Sequence, residues 1–121
     1  MDISVIIVNW NARMLLERCL TCVFETMAGV CRFEVMVVDN ASCDGSVEML
    51  AEKFPQVTVI VNHENRGFGA ANNQAFAVMK GSYALLLNAD AMLTAGAVEK
   101  LWRFAASHPQ AAIVCGQLLN A

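Results

Sequence analysis

The sequence predicts an α/β protein with three layers, α/β/α, in which helices cover both faces of a mostly parallel, Rossmann-like sheet. Short β-branched or leucine-rich runs alternate with stretches in which apolar residues recur every three to four positions. Polar residues or glycine bound each run and mark the turns. Repeated β-α-β units place successive strands side by side through right-handed crossovers. The 121 residues are enough for one domain with a real core.

The first strand is predicted at residues 3–8, a β-branched run with one serine that the polar segment 9–11 ends. The first helix is predicted over 12–27, where apolar residues lie at helical spacing, and Gly29 is expected to stop it. The second strand, 33–38, ends directly before two polar residues that belong to the candidate site.

Ser42 or Asp44 is expected to cap the second helix, which runs to about residue 54 and is ended by Pro55. The third strand is predicted at 57–61, followed by a polar loop at 62–66.

Gly67 opens a third helix over 67–80, with Gly81 as its stop. The fourth strand, 83–87, is an apolar run that fits a central position covered on both faces. Thr94 is expected to cap the last helix, which Pro109 closes. Residues 112–115 are predicted to form a fifth strand, and the apolar residues after it continue without a stop signal, which favours a truncated chain.

Composition excludes several classes of partner. Hydrophobic residues make up 57% of the chain and charged residues 16%, more apolar than a free-standing domain needs, so we expect an uncovered face and self-association. The net charge of −3 gives no basic stripe, so nucleic acid is not an expected partner. No apolar run approaches the roughly 18 residues of a membrane span, and the first residues do not form a secretory signal.

The five cysteines lack the spacing of a disulfide framework, which favours a reducing, cytoplasmic compartment. Cys19 and Cys22 form a C-x-x-C pair in the middle of the first helix. Because no second pair of ligands lies nearby in the sequence, packing is favoured over zinc binding. All five cysteines are expected to be structural.

Polar residues cluster after the first four predicted strands, at positions 9–11, 39–40, 65–67 and 88–90. The carboxyl ends of parallel strands lie along one edge, where ligands of open α/β sheets bind. A single such cluster would indicate only a turn or a helix cap, since Asn and Asp favour both. Four clusters at equivalent positions predict a binding site.

Four segments carry a family resemblance: residues 4–11 (SVIIVNWN), 37–46 (VVDNASCDGS), 65–73 (NRGFGAANN) and 86–90 (LLNAD). Together they resemble a family 2 glycosyltransferase of the GT-A fold, in the rhamnosyltransferase-like branch that builds bacterial polysaccharides. The segments follow the family's order and cover nearly the whole chain.

The resemblance implies that residues 1–121 form the N-terminal nucleotide-sugar-binding part of an inverting glycosyltransferase. The family transfers a sugar from a nucleotide sugar, here a UDP- or dTDP-sugar, to a polysaccharide or lipid-linked acceptor. The general base is expected beyond residue 121, so the chain should bind donor and hold no catalytic residue. The resemblance implies a cytoplasmic protein, peripheral at the inner face of the membrane.

The resemblance also implies roles for individual residues on the nucleoside side. Val8 and Asn9 would line the base pocket, and Asp39 would accept a hydrogen bond from the ring N–H of uracil or thymine. Arg66 and Gly67 would lie near the nucleotide and its diphosphate, with glycine permitting a close backbone approach. The alternatives are an Asx-turn for Asp39 and a solvated loop charge for Arg66.

On the metal side, the segment from Asn88 to Asp90 matches the family's Asp-x-Asp motif, with Asn88 in place of the first aspartate. Asp90 would then bind Mg²⁺ or Mn²⁺ that bridges the diphosphate, while Asn88 offers a neutral carbonyl. The alternative is that both residues are ordinary turn formers.

Two other functions remain open from the sequence. The segment 67–72 resembles G-x-G-x-x-G of dinucleotide-binding oxidoreductases, with Asp90 at a suitable distance, but Asn72 occupies the position that needs Gly or Ala. A binding or interaction module that keeps the fold without turnover is the second alternative.

Overall fold

The computed structural model of the chain describes residues 1–114, in which strands and helices alternate. The elements in chain order are β1 (Ile3–Asn9), α1 (Arg13–Met27), β2 (Phe33–Asn40), α2 (Ser46–Lys53), β3 (Thr58–Asn62), α3 (Gly67–Phe76), β4 (Tyr83–Asn88) and α4 (Ala97–Ser107).

The described strands form one parallel sheet in the order β3-β2-β1-β4. The chain first adds β2 and β3 on one side of β1 and then returns to add β4 on its other side. The strand order therefore reverses between β1 and β4, and ligands of open α/β sheets bind beyond the carboxyl ends of the strands at such a point.

Helices cover both faces of the sheet, which confirms the three-layer prediction. On one face α1, α2 and α4 enclose the larger core, in which Leu16, Leu20 and Leu50 have no exposed surface. On the other face α3 packs through Ala71 and Ala75 against β1 and β2. These small residues allow the helix to lie close to the sheet.

The prediction that strand 83–87 is central and covered on both faces is wrong. Among residues 1–114, β4 lies at the edge of the sheet beside β1. Leu85 and Leu87 pack on the larger core, but Leu86 points to the other face and is 46% exposed. The reason is that α3 packs over β1 and β2 and leaves that face of β4 uncovered.

The predicted fifth strand is not formed by residues 112–114, and Cys115 lies outside the described residues. Ile113 is 83% exposed. A β-branched run becomes a strand only when a neighbouring strand pairs with it, so its composition alone overstated the prediction.

The starts of α2 and α4 differ from the predicted caps. Gly45 (φ 86°) precedes α2 and Gly96 (φ 79°) precedes α4, both in the left-handed conformation that glycine adopts easily. Neither Ser42 nor Thr94 caps a helix with its side chain. Asp44 instead accepts hydrogen bonds from the backbone N–H and hydroxyl of Ser46, the first residue of α2.

The third helix ends at Phe76, four residues before the predicted end, in a tight turn. Gly81 is therefore not its stop. A Cβ at Gly81 would lie 2.4 Å from the backbone nitrogen of Ser4 and 2.7 Å from the carbonyl carbon of Ile3. Glycine is required here because the chain passes directly against β1 before β4 begins.

Candidate functional site

The strand registers bring the predicted polar residues to one edge of the sheet. Asn9 lies opposite Asp39, and Val8 lies opposite Asn88. Asp90 follows two residues beyond the end of β4, so the two aspartates share this edge although 51 positions separate them. The edge includes the reversal point between β1 and β4.

Asp39 is fully buried and holds the ends of β1 and β2 together. Its Oδ1 accepts hydrogen bonds from the side-chain amide of Asn9 at 2.9 Å and from the hydroxyl of Ser42 at 2.7 Å. Its Oδ2 accepts the backbone N–H of Ser42 at 2.9 Å. The turn role considered for Asp39 is therefore present, together with a cross-strand contact that the sequence did not predict.

Asn9 is also fully buried, and its Oδ1 accepts no hydrogen bond. A buried acceptor without a partner is uncommon and costs free energy. Such a group at the end of β1 fits a pocket whose ligand supplies a donor. Val8, one residue earlier, is half-buried on the opposite face of the sheet and packs beside the smaller core.

The loops after β1 and β2 are joined by side-chain to backbone hydrogen bonds. Ser42 Oγ accepts the backbone N–H of Asn11 at 2.9 Å, and Asn11 Oδ1 accepts that of Cys43 at 2.8 Å. Asn11 (φ 47°) and Ala41 (φ 62°) both adopt the left-handed conformation, which is costly for residues with a Cβ. Strained backbone held by such a network is typical of binding sites.

Asp44 fastens the start of α1 to the start of α2. Its Oδ2 accepts the backbone N–H of Arg13 at 2.9 Å. Burial alone would raise the pKa of Asp44, but hydrogen bonds from the Ser46 hydroxyl and from the backbone N–H groups of Arg13 and Ser46 together outweigh it and lower that pKa. The carboxylate form is therefore favoured where the two loops meet.

A second network, of amide side chains, lies on the opposite face of the sheet. Asn40 lies opposite Asn62 at the ends of β2 and β3, and its Oδ1 accepts a hydrogen bond from Asn62 at 3.0 Å. Asn62 and Gln74 of α3 exchange reciprocal hydrogen bonds of 2.8 and 2.9 Å. Asn40 also donates to the carbonyl of Gly67 at 3.1 Å and accepts the N–H of Arg66 at 3.3 Å.

This network sets the backbone of Arg66 and Gly67 while leaving their exposed surface free. Gly67 has φ 81° and open space around the position of a Cβ. The side chain of Arg66 is exposed and forms no ion pair with the described residues. An exposed guanidinium of this kind can reach a ligand. In the present arrangement Arg66 is a solvated loop charge, the alternative that the sequence left open.

The end of β4 is more open. Both Asn88 and Asp90 are exposed. The segment between them turns back through the N–H of Ala91, which donates to the carbonyl of Asn88 at 3.0 Å. Asp90 borders an open groove of about 550 Å³ between α1 and the segment after β4, whose lining also includes Arg18 and Met92.

Two cysteines of α1 face this segment. Cys19 donates from Sγ to the carbonyl of Asn88 at 3.6 Å, and Cys22 donates to the carbonyl of Leu93 at 3.2 Å. Burial, with smaller contributions from Cys22 and from the carboxylate of Asp90, raises the pKa of Cys19 to about 12. The thiol is therefore protonated and able to donate.

The residues at the end of β4 fit a hard divalent cation that is also coordinated by oxygen atoms of a bound ligand. Asp90 supplies a carboxylate and Asn88 an amide oxygen, the donor types that Mg²⁺ and Mn²⁺ prefer. Residues 1–114 contain no group of three or more His, Cys, Asp or Glu side chains placed to hold a metal. A cation here would therefore need phosphate oxygens and water, which is how Mg²⁺ is commonly bound.

Sequence reasoning missed Ser42 and Asn62 as part of the site, and it placed Asn40 in the polar cluster 39–40 without giving it a role. Ser42 was considered only as a helix cap, and its role depends on Asn9 and Asp39 being opposite each other. The period of two in strands could have indicated that Asn40 points to the face opposite Asp39. Its pairing with Asn62 follows only from the register.

The comparisons with known proteins agree with this geometry. The family model "Glycosyl transferase family 2" matches residues 4–120, so the chain belongs to that family. This membership replaces the oxidoreductase alternative. A poly(ribitol-phosphate) beta-glucosyltransferase of Bacillus spizizenii is 30% identical over 98% of this chain and 19% of its own length.

Solved glycosyltransferases share the fold. A mannosyltransferase from Pyrobaculum calidifontis, in complex with GDP-Man and Mn²⁺, superposes with a TM-score of 0.78 at 30% identity, over 87% of this chain and 32% of its own. TarS from S. aureus, residues 1–349 in complex with UDP-GlcNAc, gives 0.76 at 25% identity, over 90% and 32%. The chain thus spans about a third of each of these two solved chains and a fifth of the Bacillus relative.

Within the described part of the chain, no helix combines the length and apolar character needed to cross a lipid bilayer.

Proposed function

We propose that the chain binds the nucleoside diphosphate part of a nucleotide-sugar donor, and that the protein transfers the sugar with inversion to a saccharide or lipid-linked acceptor. A UDP- or dTDP-sugar is the proposed donor, in the rhamnosyltransferase-like branch of the family. One observation carries the proposal: the buried pair of Asn9 and Asp39 and the exposed Asn88 and Asp90 flank the reversal point of a parallel sheet.

On the nucleoside side, Val8 and Asn9 line the base pocket and Asp39 accepts the ring N–H of the base. Oδ2 of Asp39 accepts one hydrogen bond, so it has capacity for a second. Because the carboxylate has no exposed surface, neighbouring atoms must move for the base to reach it. The unpaired Oδ1 of Asn9 is a second acceptor at the same place.

On the diphosphate side, Asp90 and the amide oxygen of Asn88 hold Mg²⁺ or Mn²⁺, and the exposed guanidinium of Arg66 pairs with the phosphates beside Gly67. A bound divalent cation neutralises charge on the departing diphosphate. Asp90 is suited to this role because its carboxylate faces solvent at the reversal point. The Mn²⁺ and GDP-Man in the Pyrobaculum relative support this assignment.

The acceptor side lies outside these residues. A general base that takes the acceptor proton is expected beyond residue 121. Asp39 accepts three hydrogen bonds and Asp90 is assigned to the metal, so neither is proposed as that base. We further propose a cytoplasmic protein, peripheral at the inner face of the membrane, whose copies associate through the uncovered face of β4 around Leu86.

Calorimetry with a panel of nucleoside diphosphates tests the proposal. UDP, dTDP and GDP carry a ring N–H that Asp39 can accept, whereas CDP and ADP lack one at neutral pH. We expect UDP or dTDP to bind in Mn²⁺ and more weakly in EDTA. CDP and ADP should bind at least about fivefold more weakly than UDP or dTDP, since an acceptor left unpaired costs about 1–3 kcal/mol. Failure of every diphosphate to bind in Mn²⁺, or equal binding of ADP, would contradict it.

A further inference from the structure

The segment 88–93, which carries Asp90, is held on α1 by two thiols. The loop after β2 is fixed by hydrogen bonds from hydroxyl and amide side chains. Among the described contacts, segment 88–93 has no such bonds. Its side-chain hydrogen bonds come from Cys19 to the carbonyl of Asn88 and from Cys22 to the carbonyl of Leu93. The two bonded carbonyls lie at the first and last residues of the segment, on either side of Asp90.

Helix geometry explains why one helix can supply both contacts. Residues three apart lie on the same face of a helix, so Cys19 and Cys22 present their thiols to one surface. Cys19 is 1% exposed and Cys22 is 9% exposed, so both bonds are largely shielded from water. Cysteine suits such positions because it is buried as readily as an apolar residue yet retains a donor. Valine would fill a similar volume without the donor.

We propose that Cys19 and Cys22 are positioning residues, which fix the backbone of segment 88–93 against α1 and so hold the carboxylate of Asp90 at the reversal point. The proposal rests on the proposed function in one respect, the assignment of Asp90 to a divalent cation. Positioning of this segment accounts for the C-x-x-C pair, which zinc binding does not account for.

The test compares the double variant Cys19→Val/Cys22→Val with Cys22→Ser, which keeps a donor at the second position. Cys31→Val is the matched control, since Cys31 is a partly buried cysteine packed against the same core. The affinity for UDP, or for whichever diphosphate the wild type prefers, is measured in Mn²⁺ and in EDTA. The ratio of the two affinities isolates the contribution of the metal.

We expect the double valine variant to reduce this ratio by about 3- to 10-fold, because each lost hydrogen bond only modestly destabilises the position of segment 88–93. Its affinity in EDTA should stay within about twofold of wild type. Cys22→Ser should retain part of the ratio, and Cys31→Val all of it. Hydrogen exchange should be faster in segment 88–93 of the valine variant and unchanged in segment 39–45.

The outcomes separate the two levels of the argument. A wild type that binds no diphosphate in Mn²⁺ overturns the assignment of Asp90 and with it the positioning role. A wild type with a clear metal dependence that the folded double variant retains overturns the positioning role alone. A loss of the ratio in Cys31→Val equal to that in the double variant also overturns it, because the effect would then be general to the core.

Discussion

The two sides of the reversal point are built differently. At the ends of β1 and β2, the functional side chains themselves are buried in a hydrogen-bonded network around Asp39. At the end of β4, Asn88 and Asp90 face solvent, and only the backbone around them is held, by two thiols. The side chains of the proposed nucleoside side are therefore already held by protein hydrogen bonds, whereas the proposed metal side presents free side chains on a supported backbone.

The difference follows from the position of each strand. β1 and β2 are covered on both faces, so a polar side chain at their ends must find protein partners to offset desolvation. β4 is at the edge of the described sheet, and its end is open to water. A cation and a diphosphate bring their own charges and ligands, so an open side is suited to them. A base needs a shaped pocket.

The largest expected effect is on the folded state when Asp39 is replaced. Asp39→Ala leaves the amide of Asn9 and the N–H and hydroxyl of Ser42 without their acceptor, so we expect a loss of about 2–4 kcal/mol in the free energy of unfolding. Asp2→Ala is the matched control. Asp2 forms an ion pair with Arg32 at the opposite end of β1 and β2, but it is partly exposed. Urea denaturation measures both. Equal losses would mean that the buried network around Asp39 contributes no more to the free energy of unfolding than a partly exposed ion pair does.

A smaller effect is expected at the amide network on the other face. Asn40→Ala removes the contacts to Gly67, Arg66 and Asn62, and we expect a loss of about 1–2 kcal/mol in unfolding free energy together with weaker nucleotide binding. Asn73→Ala, an exposed change on α3, is the control and should leave both quantities nearly unchanged. A variant that loses stability but binds nucleotide normally would separate this network from the site.

The smallest effect is the pH dependence contributed by Asp44. Its folded-state pKa is lowered below its ordinary 3.8, so the unfolded chain takes up the proton first. The stabilisation is therefore complete above the unfolded pKa and is lost as the pH falls through the folded pKa. Asp44→Asn does not titrate, so the stability difference between wild type and variant should shrink below about pH 4. A stability difference that does not change with pH between about 3 and 6 would contradict a stabilising role for the Asp44 carboxylate in the loop contacts.

The parts of the fold that depend on local pattern could be predicted from sequence. Alternating apolar periods indicated the eight observed elements, and polar residues after strands indicated the edge that carries the candidate site. The position of β4 could not be predicted, because three consecutive leucines fit either a covered strand or an edge strand whose second face is bare. The segment 112–114 failed for a related reason, since strand formation needs a partner that no local pattern specifies.

Single residues of the site were predictable where their chemistry is unusual, and missed where it depends on pairing. Asp39 directly follows one predicted apolar strand and Asp90 lies three residues beyond another, so both carboxylates stand out in the sequence. Asn40 and Ser42 are ordinary turn residues until the register brings their partners within hydrogen-bonding distance. Cys19 and Cys22 were assigned to packing, and their donor role appears only once α1 lies against the segment after β4.

The metal dependence of nucleotide affinity in Asp90→Asn and Asp39→Asn tests the contrast between the two sides most directly. The ratio of UDP or dTDP affinity in Mn²⁺ to that in EDTA is measured by calorimetry, with Glu25→Gln as a control that removes a charge from the same groove. We predict that Asp90→Asn lowers the ratio at least about 10-fold, as loss of a metal ligand should. Asp39→Asn should weaken binding in both conditions and keep the ratio, whereas an equal response of the two variants to Mn²⁺ would contradict the division between a nucleoside side and a metal side.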